Sequence, residues 1–340
     1  MVILLLPLVA AILFVDHFHP FDKSYHKTPV RPLQEQLYQR LSDAGLTGDE
    51  LATVGALTLG YKEDLDRELK RHFQASGAAH VLAVSGLHTG IIYGLLLWLF
   101  TLGGRFKPLY EHKWHRWLIS TVIIAAMWGY AWLTGMTPSV VRAVVMVTIF
   151  EIGRMAYRQA ISLNTVAAAA VLILLAHPQD LWSISFQLSF ASTFSIVYFV
   201  KKAEKRVQSY GWEHKKFGRM IAWLWGTIII SLAAQLGTLP ITMFYFKQVS
   251  TYFLLANLLV LPLASILVPC GLISIALGGS TIGVLFSKIT WSLAWAMNHS
   301  VGWIESLPGS TFPAHVNALM VAIYYLLLLL FCAIVLKKHD

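Results

Sequence analysis

Charge is scarce in this sequence. Only 13% of the 340 residues are Asp, Glu, Lys or Arg, against 57% hydrophobic, and the mean hydropathy is +0.63. So little charge cannot clothe a large water-exposed domain, which excludes a sizeable extramembrane enzyme and makes the class an integral membrane protein. Cysteine is nearly absent. Cys270 and Cys332 both fall in apolar runs without metal-ligand spacing or a disulfide framework, and read as small core residues. No G-x-x-x-x-G-K-[ST] phosphate loop occurs. The opening MVILLLPLVAAILFV lacks the basic n-region and small-residue cleavage site of a removed signal peptide, so it reads as a retained anchor, though short for a span. Asp16, His17, His19 and Asp22 follow it. A cluster so short and isolated reads as solvated interface residues rather than a metal site, and no cofactor is expected.

Long apolar runs are what the chain does have. Besides the anchor and the segment from His80 to Phe100, spans are expected at Trp117–Leu133, Pro138–Gly153, Ser162–Ala176, Leu181–Val200, Ile221–Leu239, Tyr252–Leu277, Ile282–Ile304 and Val316–Leu336. That makes an all-α polytopic membrane protein of about ten transmembrane helices, some broken or re-entrant. Between Leu33 and Arg71 the pattern is amphipathic instead, with Leu33, Leu37, Tyr38 and Leu41 at helical spacing. ELATVGALTLGY is too short and too interrupted by glycine for a span, and KEDLDRELKR reads as a solvated face. Residues 1–76 thus form an anchor plus extracytoplasmic amphipathic helices, and residues 77–340 the transmembrane domain.

The basic residues sit on one side. Arg105, Lys107, Lys113 and Arg116 mark one loop, Arg154 and Arg158 the next, then Lys201 to Arg219, then Lys337 and Lys338, while HPQD and ESLPGSTFPAH between them carry almost none. By the positive-inside rule these loops and both termini are cytoplasmic. The same rule accounts for most of the net charge of +9, which is therefore no independent sign of nucleic acid.

Polar groups inside apolar runs are more informative, because the bilayer makes them expensive. HVLAVSGLHTG, His80 to Gly90, holds two histidines, a serine and two glycines. On a continuous helix Ser85 and His88 share a face, with His80 two turns earlier and about 80° around. Gly86 and Gly90 leave that face thin, open to a neighbouring backbone or to a break lining a cavity. Arg142, one turn after Pro138, can snorkel to headgroups or bind phosphate. In the span from Leu181, Ser183 with Gln187 and Ser185 with Ser189 and Ser192 form two polar stripes; one can glue helices, leaving the other to line a wet path. Pro240, Pro262 and Pro269 in apolar runs indicate broken helices or simple kinks.

Four stretches in order, HVLAVSGLHTG, TPSVVRA (Thr137 to Ala143), SISFQLSF (Ser183 to Phe190) and QLGTLPI with LLANLLVLPLAS (Gln235 to Ser265), resemble the ComEC competence family, the bacterial inner-membrane protein through which transforming DNA enters the cytoplasm. The resemblance covers about residues 50 to 310. It implies a channel for single-stranded DNA in the cytoplasmic membrane that performs no chemistry of its own, in contact with lipid and served by a DNA receptor, a cytoplasmic ATP-driven translocase and a separate nuclease. The chain holds no stretch for the oligonucleotide-binding-like or metallo-β-lactamase-like domain of larger members. It also departs from the family ahead of FQLSF, where Ser183, Ile184 and Ser185 replace an acidic residue, an apolar residue and glycine, so no role of that acid carries over.

On this reading Arg142 contacts phosphate, while His80, Ser85, His88, Gln187 and Ser189 line the DNA path. Trp128, Tyr130, Trp132 and Phe194 offer stacking surfaces. Gly86, Gly90, Pro240, Asn257 and Pro262 are helix breaks and close-packing positions. With no phosphate loop, energy has to come from the motor or the proton gradient. Two other readings compete. An intramembrane serine protease would need His88 to reach Ser85 from the same helix, which a continuous helix does not allow. A transporter for a small solute also uses broken helices and midplane polar groups, and internal inverted repeats would favour it.

Overall fold

The computed structural model describes residues 30–82, 84–101, 113–156, 163–208 and 218–337. In chain order these form α1 (Arg31–Asp43), α2 (Gly48–Leu59), α3 (Arg67–Ser76), α4 (Ala79–Leu82), α5 (Gly86–Thr101), α6 (Lys113–Leu133), α7 (Pro138–Met155), α8 (Leu163–Ala176), a 3-10 turn (Pro178–Trp182), α9 (Ile184–Gln208), α10 (Gly218–Phe246), β1 (Gln248–Ser250), α11 (Phe253–Leu277), α12 (Thr281–Ser306), β2 (Thr311–Pro313) and α13 (Ala318–Lys337). The two strands pair into a ribbon, and the rest of the regular structure is helical. The chain folds as two compact units, each discontinuous in sequence. Residues 30–156 with 250–310 make the first, and residues 163–249 with 311–337 the second.

The first unit is built around α2. Every residue from Leu51 to Leu59 is buried, because α1, α11 and α12 pack around it. The sequence predicts no such role for this short run. Its apolar residues lie all round the helix, which marks a helix enclosed by others rather than one resting on a surface. Gly271 of α11 permits the close approach: a Cβ there would stand 2.8 Å from Thr58 Cγ2. Thr53 of α2 donates to Asn298 Oδ1 of α12 at 2.9 Å. Gly60 ends α2 at φ +73°, the left-handed conformation that glycine adopts without strain.

Gln34 then closes the unit. Its Nε2 donates to Leu59 O at 2.8 Å and to Leu133 O at 2.9 Å, filling carbonyls that the ends of α2 and α6 leave without intrahelical partners. α3 lies against α12 through Leu69 and Phe73. Glu305, near the end of α12, accepts from Arg71 Nε and His72 Nε2, both at 3.1 Å.

In the second unit α9 and α10 pack along their length, with α8 against α9 and α13 against α10. Pro240 lies inside α10, and Pro262 and Pro269 inside α11, yet both helices run through without a break. The expected interruptions at Pro240, Asn257 and Pro262 are therefore absent. At Pro240 the reason is visible: the proline cannot donate to Leu236 O, and Tyr324 OH of α13 donates to that carbonyl instead, at 2.9 Å.

Among the described residues, three helices are long and apolar enough to cross a membrane, at Trp114–Leu133, Met220–Phe246 and Phe253–Leu277, with shorter apolar helices at Gly86–Thr101, Leu163–Ala176, Ile184–Val200 and Ala318–Phe331. The expected number of about ten spans is not confirmed by these helices. α7 and α12 form where spans were predicted, but Arg142, Glu151 and Arg154 in the one and Lys288, Asn298 and Glu305 in the other lower their hydropathy. The predicted N-terminal anchor and the Asp16 to Asp22 cluster lie outside the described residues.

Candidate functional site

The apolar segment from His80 to Phe100 is not one helix. α4 ends at Leu82, Val84 and Ser85 are non-helical, and α5 begins at Gly86. Ser85 is the N-cap of α5, its Oγ accepting from Leu87 N–H at 3.3 Å. His88, three residues on, reaches back: its Nδ1 accepts from Ser85 N–H at 3.1 Å and lies 3.1 Å from Ser85 Oγ. This is a variant of the capping box, with histidine in the place usually held by Glu or Gln and Ser85 accepting from the second helical N–H instead of the third. Since an amide can only donate, Nδ1 is the acceptor and the proton sits on Nε2. His88 is 0% exposed, and Nε2 is a buried donor without a partner among the described residues. Ser85 and His88 thus meet because Ser85 lies outside the helix, where a continuous helix was expected to keep the imidazole from swinging under Ser85 Oγ.

α7 pins the break. Pro138 opens this helix at its first position, as the sequence predicts, and the adjacent Ser139 Oγ donates to Val84 O at 2.6 Å. HVLAVSGLHTG and TPSVVRA therefore meet in space. Arg142 lies one turn into α7 at 2% exposure, so its guanidinium neither snorkels outward nor stands on an open surface. His80 remains exposed on α4, its Nδ1–H donating to Gly77 O at 3.2 Å.

Gly86 and Gly90 are not close-packing positions. A Cβ on Gly86 would make ordinary contact with Ala143 Cβ at 3.8 Å, and on Gly90 would meet nothing within 4 Å. Gly86 opens α5 at a site of no special crowding. A close crossing in the second unit lies instead at Gly237, within QLGTLPI, where a Cβ would come 2.5 Å from Ala191 O and also strike Ser195 Oγ.

Four of the six candidate path residues, His80, Ser85, His88 and Arg142, fall in the first unit, while Gln187 and Ser189 fall in the second. Gln187 is fully buried; its Nε2 donates to Leu181 O at 3.2 Å and its Oε1 accepts from Tyr245 OH at 3.2 Å, so it ties α9 to α10. Ser189 is half-buried, with its carbonyl accepting from Thr193 Oγ1. Ser183, where the family has an acid, caps α9 by accepting from Phe186 N–H at 3.1 Å. Asn257 is buried within α11, its Oδ1 without a partner. Of the candidate stacking aromatics, Trp128 donates to Thr148 Oγ1, Tyr130 is buried and Phe194 packs in an apolar cluster; Trp132 is exposed.

One group escaped the sequence reading. Glu151 of α7 is 0% exposed. Its Oε1 accepts from Tyr93 OH of α5 at 2.5 Å and Arg154 Nη1 at 2.9 Å, and its Oε2 from Ser120 Oγ of α6 at 2.5 Å. Arg154 Nη1 also donates to Tyr93 OH at 3.0 Å, and its guanidinium lies over the Phe150 ring. A lone acid within VVMVTIFEIG, followed three residues later by arginine, was the available signal. The carboxylate joins the helix that follows the break to both of its neighbours.

A family model described as Competence protein matches residues 57–338. The chain belongs to this family. All four sequence blocks fall within the match, and so does every candidate path residue. Among curated relatives, the chain is 28% identical over 283 residues to ComE operon protein 3 of Bacillus subtilis (strain 168), covering 82% of the chain and 32% of that protein. It is 28% identical to the uncharacterized protein YcaI of Escherichia coli (strain K12), over 63% of the chain and 27% of that protein. It is 27% identical to Recombination protein 2 of Haemophilus influenzae, over 70% of the chain and 29% of that protein. The chain thus spans about a third of the length of these competence relatives. No solved structure matches it.

Proposed function

We propose that the chain forms a channel that passes one strand of transforming DNA across the bacterial cytoplasmic membrane and does no chemistry of its own. Family membership supports the biological context. The observation that carries the channel is the break at Val84 and Ser85, an irregular piece of backbone within an apolar segment that is capped by His88 and held by Ser139. Irregular backbone at membrane depth is tolerated where protein buries it or where it lines a water-filled path. His88 Nε2–H, buried beside that break without a partner among the described residues, would become a donor for phosphate where a path opens at the break. On this reading the membrane is the inner one, with both termini in the cytoplasm. A DNA receptor, an ATP-driven translocase and a separate nuclease supply delivery, force and removal of the second strand.

The test is transformation of a deletion strain, with DNA uptake into the periplasm scored apart from entry into the cytoplasm. Loss of the protein should abolish entry and spare periplasmic uptake; loss of both steps, or of neither, overturns the assignment. His88 refines the test. His88→Gln keeps an acceptor for Ser85 N–H, so membrane abundance should match the wild type, while its amide N–H no longer stands where the rigid imidazole holds Nε2–H and entry should fall. His88→Leu also orphans that N–H, costing about 1 kcal/mol of helix capping on top, and should lower abundance as well. Wild-type entry in His88→Gln would make the histidine a cap and nothing more.

A further inference from the structure

α12 runs for 26 residues yet is not among the helices apolar enough to cross a membrane, and its exposed side shows why. The buried side carries Thr290, Ala294, Met297 and Val301. On the opposite side, at steps of three and four residues, stand Lys288, Ser292, Trp295, His299 and Trp303, all exposed. This spacing sets the five in one stripe along the helix, about 22 Å long at ~1.5 Å per residue. Trp295 is 45% exposed and Trp303 55%. The Trp295 and His299 rings lie 4.1 Å apart at 32°, locked by His299 Nδ1–H donating to Trp295 O at 2.9 Å.

Exposed Leu285, Ile289 and Trp291 border the stripe, so lipid accounts for its margins but not for its polar members. A lipid-facing helix is aliphatic at mid-depth and keeps its tryptophans near the headgroups. Trp295, however, lies close to the middle of Thr281–Ser306, with a serine and a lysine before it and a histidine after. With α12 read as the span that the sequence predicts at Ile282–Ile304, polar and cationic groups on its open side mark a water-filled cavity. A cation with aromatic faces along one wall is the composition that binds an unpaired strand without reading its sequence.

Resting on the channel reading above, we infer that this stripe is a stacking surface for single-stranded DNA. Trp295 and Trp303, about 12 Å apart along the axis, take base faces, and Lys288 takes a phosphate. The surface differs from every aromatic that the sequence offered for this purpose.

The test uses the full chain in lipid nanodiscs and a fluorescein-labelled 20-nucleotide oligothymidylate, titrated at several salt concentrations. Trp295→Leu should weaken binding about tenfold, the usual worth of one lost stack. Lys288→Gln should weaken it and reduce the salt slope by about 0.7, the share of one phosphate contact on a single strand. Trp223→Leu, at an equally exposed tryptophan of α10, should bind like the wild type. Each variant's melting temperature establishes that it is folded, and a photoreactive benzoylphenylalanine in place of His299 should crosslink to the oligonucleotide. If the wild type binds and both α12 variants bind equally well, or if the crosslinker labels lipid alone, the stripe is not the DNA surface and the channel reading stands without it. If the wild type binds no oligothymidylate, both readings fall.

Discussion

Glu151→Leu should cost the folded protein roughly 3 kcal/mol, the lower end of the loss expected when one partner of a buried ion pair is removed. Three donors on three helices converge on this carboxylate, and the protein holds it at zero exposure. Without it, the hydroxyls of Tyr93 and Ser120 lose their acceptor and Arg154 loses its ion pair with Glu151. The Arg154 side chain is 19% exposed, so water screens part of that charge, which places the loss low in the range. The double change Glu151→Leu with Arg154→Leu should recover much of the stability, because it removes both halves of the ion pair together. Thermal unfolding in detergent measures both. A single-variant loss below about 1 kcal/mol, or a double variant worse than the sum of its parts, would show that the network does not hold α5, α6 and α7 together.

Gly237→Ala is the second large effect. The added methyl would sit 2.5 Å from Ala191 O and against Ser195 Oγ, and the obstacle is partly backbone, which no rotamer change can move. Overpacking of this kind costs ~1 to 3 kcal/mol, and here α9 and α10 would have to separate. The shift would also strain the bond from Tyr325 OH to Gly237 O, 2.6 Å long. Gly90→Ala is the matched control. It adds the same methyl where nothing lies within 4 Å, and should be neutral or stabilising by up to ~1 kcal/mol through helix propensity. Equal melting temperatures for the two variants would rule out Gly237 as the packing point.

That pair of glycines shows where the sequence was readable and where it was not. A glycine's local setting, beside Ser85 and His88 in a polar patch, drew attention to Gly86 and Gly90. The reason for a glycine lies in what approaches it, and Ala191 reaches Gly237 from 46 positions away in the chain. Pro240 is similar: its local chemistry predicts a broken helix, while Tyr324, 84 positions on, repairs it. Features set by near neighbours were legible. Pro138 opens α7, an amphipathic helix begins near Leu33, and the ordered blocks gave the family. α2 was missed because its burial depends on helices more than 190 residues later in the sequence. Glu151 was missed because a single acid in an apolar run looks like an exception until its three donors are in view.

The centre of the first unit is therefore made early and covered late. Leu51–Leu59 leaves the ribosome long before α11 and α12, which follow only after the whole of Ile161–Val249 has been synthesised. At ~5–20 residues per second, the intervening segment alone takes on the order of ten seconds. Throughout that interval Thr53 has no Asn298 to accept its hydrogen bond, and α2 lacks the cover of α11 and α12. Biogenesis of this protein is a waiting problem, and its most vulnerable moment falls before residue 250 has been translated.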